Sequence, residues 1–329
     1  MTSSDIAVRR AHEHEIDDIV AMASVALGWA PGEPHTEFFR WKHLESPFGV
    51  SPMWVAEADG ELAGFRTFMR WQLADSSGRR LRAVRAVDTA THPDFQRRGI
   101  FSRLTTAAVD EMAGEGVDIV FNTPNEQSRP GYLKMGWIEV GRLAVAMRPT
   151  SVTSLWRMLR ARTAAEKWSE PSPAGVPALE ALAQPGIDEL LASQPQPDGL
   201  ATPLTEAFLQ WRYGFEPLHY RAWMPGRAAD GIEDGMVLFR VRRRGSAREC
   251  SVGSVLAPGG DRAGERRLLS GLTKAVDADY LLRMGPSDLR AGFAPMPNQG
   301  PRLTAREVTT TPDPDLAHWH LTLGDIELF

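Results

Sequence analysis

Four short patterns occur twice in this chain, in the same order and roughly 165 to 175 residues apart. Thr36-Glu37, a Phe-rich stretch and Trp41-Lys42 match Thr205-Glu206, Phe208 and Trp211-Arg212. Ile16-Asp17-Asp18 matches Ile187-Asp188-Glu189, and Asp59-Gly60 before a strand matches Asp234-Gly235 before Met236 to Arg242. His92-Pro93 before a helix with Leu104 matches Ala257-Pro258 before a helix with Leu269. Ordered repetition at one spacing points to duplication of a single fold. The alternative is two unrelated α/β units that share short patterns. With 329 residues, the chain has room for two such units.

The first copy reads as alternating strands and helices. Ile6 to Arg9 suits a strand. Glu13 to Leu27 carries a helical stripe of Ile16, Ile19, Val20 and Ala23. A short helix over Thr36 to His43 follows, then strands Met53 to Ala58 and Glu61 to Trp71 joined by the Asp59-Gly60 turn. Leu81 to Thr91 reads as a strand, Arg98 to Ala113 as a helix, Val117 to Phe121 as an interior strand, Gln127 to Lys134 as a helix and Trp137 to Met147 as a single strand. Trp156 to Arg160 suits a short basic helix, and the Pro- and Ser-rich run Ser169 to Pro177 a connection. The expected units are therefore 1–149, a linker over 150–174, and 175–329.

The chemistry concentrates in Ala86 to Phe101, where a strand runs through His92-Pro93-Asp94-Phe95-Gln96-Arg97-Arg98-Gly99 into a helix that begins Ile100-Phe101. Backbone N–H groups at a helix start point outward, and the helix dipole favours anions there. Gly99 lets the backbone approach a phosphate, and Arg97 and Arg98 add charge. These residues describe a diphosphate-binding turn.

This turn resembles the coenzyme A signature of the GNAT (Gcn5-related N-acetyltransferase) superfamily, Gln/Arg-x-x-Gly-x-Gly/Ala, with Gln96 and Gly99 in place and Phe101 at the last position. Downstream, Asn125-Glu126-Gln127-Ser128 and Tyr132-Leu133-Lys134-Met135-Gly136-Trp137 are similar to the family's Asn-x-x-Ala and Tyr-x-Lys-x-Gly-Phe elements. The resemblance implies an α/β (α+β) class, a mixed, mostly antiparallel sheet flanked by helices, present here twice. It implies acetyl-coenzyme A as acyl donor, with its pyrophosphate on the amides of Gln96, Arg97, Arg98, Gly99, Ile100 and Phe101. Ala90 and Thr91, with Asn125 and Ser128, would complete the cofactor site, and the thioester carbonyl would be held by amides near Ala90. It places Tyr132 as the acid that protonates the departing thiolate. An amine acceptor, a small molecule or a peptide, must lose a proton, and Asp88 and His92 are the candidate bases. For Asp88 a pairing with Arg85 is the alternative, and for His92 a plain loop role before proline.

Other classes fit less well. The net charge of −5 gives no general basic surface for nucleic acid. The single cysteine, Cys250, allows neither an internal disulfide nor a multi-cysteine metal site. His318 and His320 lack a third metal ligand. Met1 to Asp5 carries no leader pattern, and the longest apolar stretch, Ile19 to Ala30, is too short for a bilayer, so a cytoplasmic protein without membrane partners is expected. No Gly-Lys-Ser/Thr loop, dinucleotide-binding glycine turn or Gly-x-Ser-x-Gly elbow occurs. Arg240 to Arg244 reads as a solvated strand edge. In the second copy Asp261 stands where the signature needs Gln or Arg, so that copy is expected to be structural. The alternatives for the whole chain are a non-catalytic acyl-coenzyme A-binding regulatory module, or a tandem enzyme resembling mycothiol synthase or the aminoacyl-transferases of peptidoglycan synthesis.

Overall fold

The computed structural model describes residues 6–151, 154, 163–226 and 232–327. The basic segment Trp156 to Arg160 lies outside them.

The first sheet begins with β1 (Ile6–Arg10), β2 (Met53–Ala58), β3 (Glu61–Ala74), β4 (Arg80–Thr91), β5 (Ile119–Asn122) and β6 (Ile138–Arg142). On its faces lie α1 (Ile16–Leu27), α2 (His35–Leu44), α3 (Ile100–Gly114) and α4 (Arg129–Lys134). The buried side of α3 is Ile100, Leu104, Ala108 and Met112, the four-residue stripe read from the sequence. Gly64 on β3 permits this packing, because a Cβ there would stand 2.7 Å from Ile100 Cγ2.

The remaining strands are β7 (Val145–Pro149), β8 (Val176–Pro177), β9 (Arg221–Trp223), β10 (Met236–Arg244), β11 (Ala247–Leu256), β12 (Tyr280–Met284), β13 (Ala294–Pro295) and β14 (Arg302–Glu307). The first sheet runs β1-β2-β3-β4-β5-β14-β6 and the second β13-β7-β12-β11-β10-β9-β8. Both are mixed and mostly antiparallel. Each sheet takes one strand from the other half of the chain. β14 sits between β5 and β6, antiparallel to both, and β7 sits between β12 and β13. The stretch Trp137 to Met147, expected as one strand, is therefore two strands in two sheets. Gly141, at φ 153°, lies just before the chain leaves the first sheet.

The two exchanging segments cross at Leu143 and Gly300. Leu143 N donates to Pro301 O (2.9 Å), and Arg142 Nη1 donates to Gly300 O (2.6 Å). A Cβ on Gly300 would lie 1.8 Å from Leu143 O, so the crossing requires glycine.

The repeated Trp positions meet at the centre. Trp41 Nε1 donates to Trp211 O (3.0 Å), Trp211 Nε1 donates to Trp41 O (3.1 Å), and the rings stack at 5.0 Å. Each polar N–H of a buried indole is thus satisfied by its repeat partner. One core continues across both halves, from Phe38, Trp71 and Phe121 to Phe208, Leu238 and Trp319.

Arg240 corrects the solvated-edge reading. It is fully buried, and Arg240 and Arg242 both pair with Glu327, while Arg242 and Arg244 pair with Glu249. Buried carboxylates absorb the charge.

Gly300→Ala is expected to cost at least about 1–3 kcal/mol of stability through overpacking at the crossing. Urea denaturation of the full chain checks this; an unchanged midpoint would contradict the crossing described.

Candidate active site

β4 and β5 are parallel neighbours only from Ala83 to Arg85, opposite Ile119 to Phe121. β4 continues to Thr91 alone on that side, and the two strands part. On its other side β4 stays paired with β3, with one extra residue: Arg66 faces Thr89 and Thr67 faces Val87, so Asp88 forms a bulge. Its φ of 39° lies in the left-handed region, which Asp tolerates better than most residues.

A groove of about 430 Å³ opens beside this bulge. It is lined by Thr89, Ala90 and Thr91 of β4, by Gln96, Arg97, Gly99, Ile100 and Phe101 of the turn and α3, and by Ala26 and Leu27 of α1. The two α1 residues were not anticipated; the helical stripe read from the sequence stopped at Ala23. At the groove's end α3 begins at Gly99, whose φ of 75° suits glycine, and no side chain caps the helix. Its first-turn N–H groups have no intrahelical acceptor. Arg97 adopts φ 64°, and the Arg98 guanidinium lies 4.9 Å over the Phe95 ring. Uncapped amides, dipole and two arginines make a fitting cradle for a diphosphate.

The equivalent helix of the second half, Arg262–Ala275, is closed. The Asp261 carboxylate accepts from Ala263 N (2.9 Å) and Gly264 N (2.8 Å). Ser193 Oγ accepts from Gly259 N (3.0 Å), and Pro195 packs so near Gly260 that a Cβ there would be 2.5 Å away.

Tyr132, on α4, is buried, with its ring edge-on to Phe101 at 5.4 Å. Gly131 makes room for Phe101, the large residue at the last signature position. Tyr132 Oη accepts from Arg66 Nη2 at 2.6 Å, a partner that the sequence did not mark. Asn125 and Ser128 build the turn that opens α4: Asn125 Oδ1 accepts from Gln127 N (3.1 Å) and Ser128 N (2.9 Å). Neither they nor Tyr132, Asp88 or Arg98 line the groove just described.

Asp88 pairs with Lys42 and His43 of α2, not with Arg85. Burial disfavours its ionised form, but Lys42 and His43 hold its carboxyl well below the usual carboxylate range. His43 Nδ1 lies 2.9 Å from Ser51 Oγ and its Nε2 2.7 Å from Asp88 Oδ2. Beyond Lys42 stands Lys167, whose ammonium burial, reinforced by the Lys42 charge, pushes down to about 8. His92 is exposed enough to cap its own loop, facing Asp94 N at 3.4 Å.

Residues 7–140 match the family model described as an acetyltransferase (GNAT) domain. This segment is a GNAT acyltransferase domain. It contains the groove, the turn, Tyr132 and Asp88. The whole chain is similar in fold to solved GNAT-type structures. A conserved protein of unknown function from Enterococcus faecalis V583, described as a probable N-acyltransferase, is 14% identical with TM-score 0.63, over 93% of this chain and 73% of that one. A GCN5-related N-acetyltransferase from Anabaena variabilis gives 14%, 0.63, 93% and 73%, and one from Kribbella flavida 17%, 0.61, 93% and 71%. No curated protein is significantly similar in sequence. Among the described residues, no helix is long and apolar enough to cross a membrane.

Burial pushes the His43 imidazole down from its ordinary 6.5 to about 4. Between these values the unfolded chain binds the extra proton, so stability from neutral His43 is complete above pH 6.5 and is lost as pH falls through 4. His43→Gln is expected to remove about 3 kcal/mol of the pH dependence of unfolding in that window. Denaturant titrations of both proteins from pH 7 to 4 test this. The contribution of Asp88 lies lower, below the ordinary carboxylate range.

Proposed function

We propose that this GNAT domain transfers an acetyl group from acetyl-coenzyme A to a primary amine by direct attack. The observation that carries the reading is one groove, with the uncapped start of α3 at one end and Thr89, Ala90 and Thr91 of β4, just past the bulge, along its side. The pyrophosphate would rest on the amides of Gln96 to Phe101, with Arg97 and Arg98 nearby. The pantetheine arm would lie along Ala90 and Thr91. Amides near Ala90 would stabilise the oxyanion as the amine attacks. The C–S electron pair would leave with sulfur, and Tyr132 would give that thiolate its phenolic proton. The acceptor nitrogen loses one proton and the thiolate gains one, so the transfer needs no other reactant.

The α2 side of the site carries a cluster of charged groups. Lys42 and Lys167 stand around the carboxylate of Asp88, and Glu33 also faces Lys167. Asp88, held ionised by Lys42 and His43, would shape the electrostatics of this cluster, and the proton of the acceptor nitrogen would return to the Tyr132 phenoxide. The second half, with its helix start closed by Asp261, would serve as a wall and strand donor.

Tyr132→Phe is expected to lower kcat by about 10²–10⁴-fold, the range of general acid–base catalysis, with acetyl-coenzyme A binding kept within a few-fold. Thiol release across an amine panel reads the rate. Full activity in the variant would remove Tyr132 from the mechanism. Binding with no turnover on any amine by the wild type would favour a regulatory acyl-coenzyme A-binding module.

A further inference from the structure

Arg66 is a fully buried cation without a counter-ion among the described residues. It lies on β3 opposite Thr89, one residue from the Asp88 bulge. Its guanidinium carbon is 4.8 Å from the Phe68 ring, 5.5 Å from Phe101 and 5.3 Å from Tyr132. Nη2 donates to Tyr132 Oη at 2.6 Å. Nε and Nη1 are buried and have no hydrogen-bond partner. Among the described residues no carboxylate reaches it, and Tyr132 is the titratable group in contact with it. A guanidinium stays protonated at any accessible pH, so the charge cannot be shed. Burying a charge with two donors unsatisfied is costly. Aromatic faces offset part of that cost, but they do not accept the two remaining N–H groups in the way an anion would.

We propose that Arg66 is the positioning residue for the acid of this site, and that its unpaired donors serve the negative charge that appears when the coenzyme A thiolate departs. The inference rests on the acetyl-transfer reading above. Its logic is geometric. By donating to Tyr132 Oη, Arg66 occupies an oxygen lone pair and leaves the phenolic hydrogen free to point elsewhere. The hydrogen is thereby available to sulfur. When the proton moves, the O–H bond breaks, the S–H bond forms, and the negative charge passes from sulfur to the phenoxide beside the guanidinium. The proton released by the acceptor nitrogen then restores the phenol. The cation is bonded to the phenol oxygen and would lie beside a sulfur within reach of it, so it would stabilise the state on either side of the transfer.

The test needs no acceptor. Full-length wild type, Arg66→Met, Arg66→Lys and Tyr132→Phe are titrated calorimetrically with coenzyme A and with desulfo-coenzyme A from pH 7 to 9.5. A free thiol ionises near 8.5, and the desulfo compound carries the same phosphates without the sulfur. In wild type the ratio of desulfo-coenzyme A Kd to coenzyme A Kd is expected to rise by about tenfold across this range, equivalent to one unit in the thiol pKa. The ratio should stay flat in Arg66→Met and rise partially in Arg66→Lys, which keeps the charge without the fork. Tyr132→Phe should reduce the rise. A flat ratio in wild type, or the same rise in wild type and Arg66→Met, overturns the assignment. If Arg66→Met does not fold, Arg66→Lys decides: a full wild-type rise there contradicts the role of the fork. Failure of the wild type to bind either compound at any pH overturns the acetyl-transfer reading instead, and this proposal falls with it.

Discussion

The exchange of β7 and β14 constrains everything else in the molecule. Without β14, β5 and β6 would face each other across an empty strand position, with backbone donors and acceptors exposed on both sides. The same holds for β12 and β13 without β7. The crossing at Leu143 and Gly300 and the reciprocal Trp41–Trp211 hydrogen bonds fix the two halves against each other. The site depends on this arrangement. Thr304 of β14 holds Asn122 at the end of β5 through a 2.8 Å hydrogen bond, at the point where β5 has already parted from β4. The opening beside the groove is thus framed by a strand from the far end of the chain.

Duplication also separates the roles of the two copies. The helix starts at Gly99 and at Asp261 occupy matching places, but one offers free amides and the other supplies its own anion. A carboxylate cap stabilises a helix by satisfying its first donors, and the same bond removes the place where a phosphate would sit. The first copy leaves its helix uncapped at the groove. One helix start is therefore closed by its own carboxylate, and the other has no side-chain cap.

Much of this was legible in the sequence where the signal is local. The α3 stripe, the Asp59-Gly60 turn, the Gln96 to Phe101 loop and the Tyr132 element depend on neighbouring residues, and the structure gathers most of the loop around one groove. The 170-residue match between Trp41 and Trp211 became a physical contact. What was not legible is tertiary. No periodicity tells Val145 to Pro149 that its partner is Tyr280 to Met284, because the strand pattern is the same in either sheet. Arg66 and Arg240 look like ordinary strand cations until burial and partners are known. Asp88 was read as a candidate base or a partner of Arg85, but Lys42 and His43 reach it from α2, and that approach is set by helix packing.

The central claim is that the uncapped start of α3 is the cofactor site. Calorimetric titration of the full chain with acetyl-coenzyme A, beside an Arg98→Glu, Gly99→Glu double variant, tests it most directly. Saturable binding by the wild type, lost in a variant that remains folded, is the expected result. Equal binding by both proteins, or none by the wild type, would contradict it.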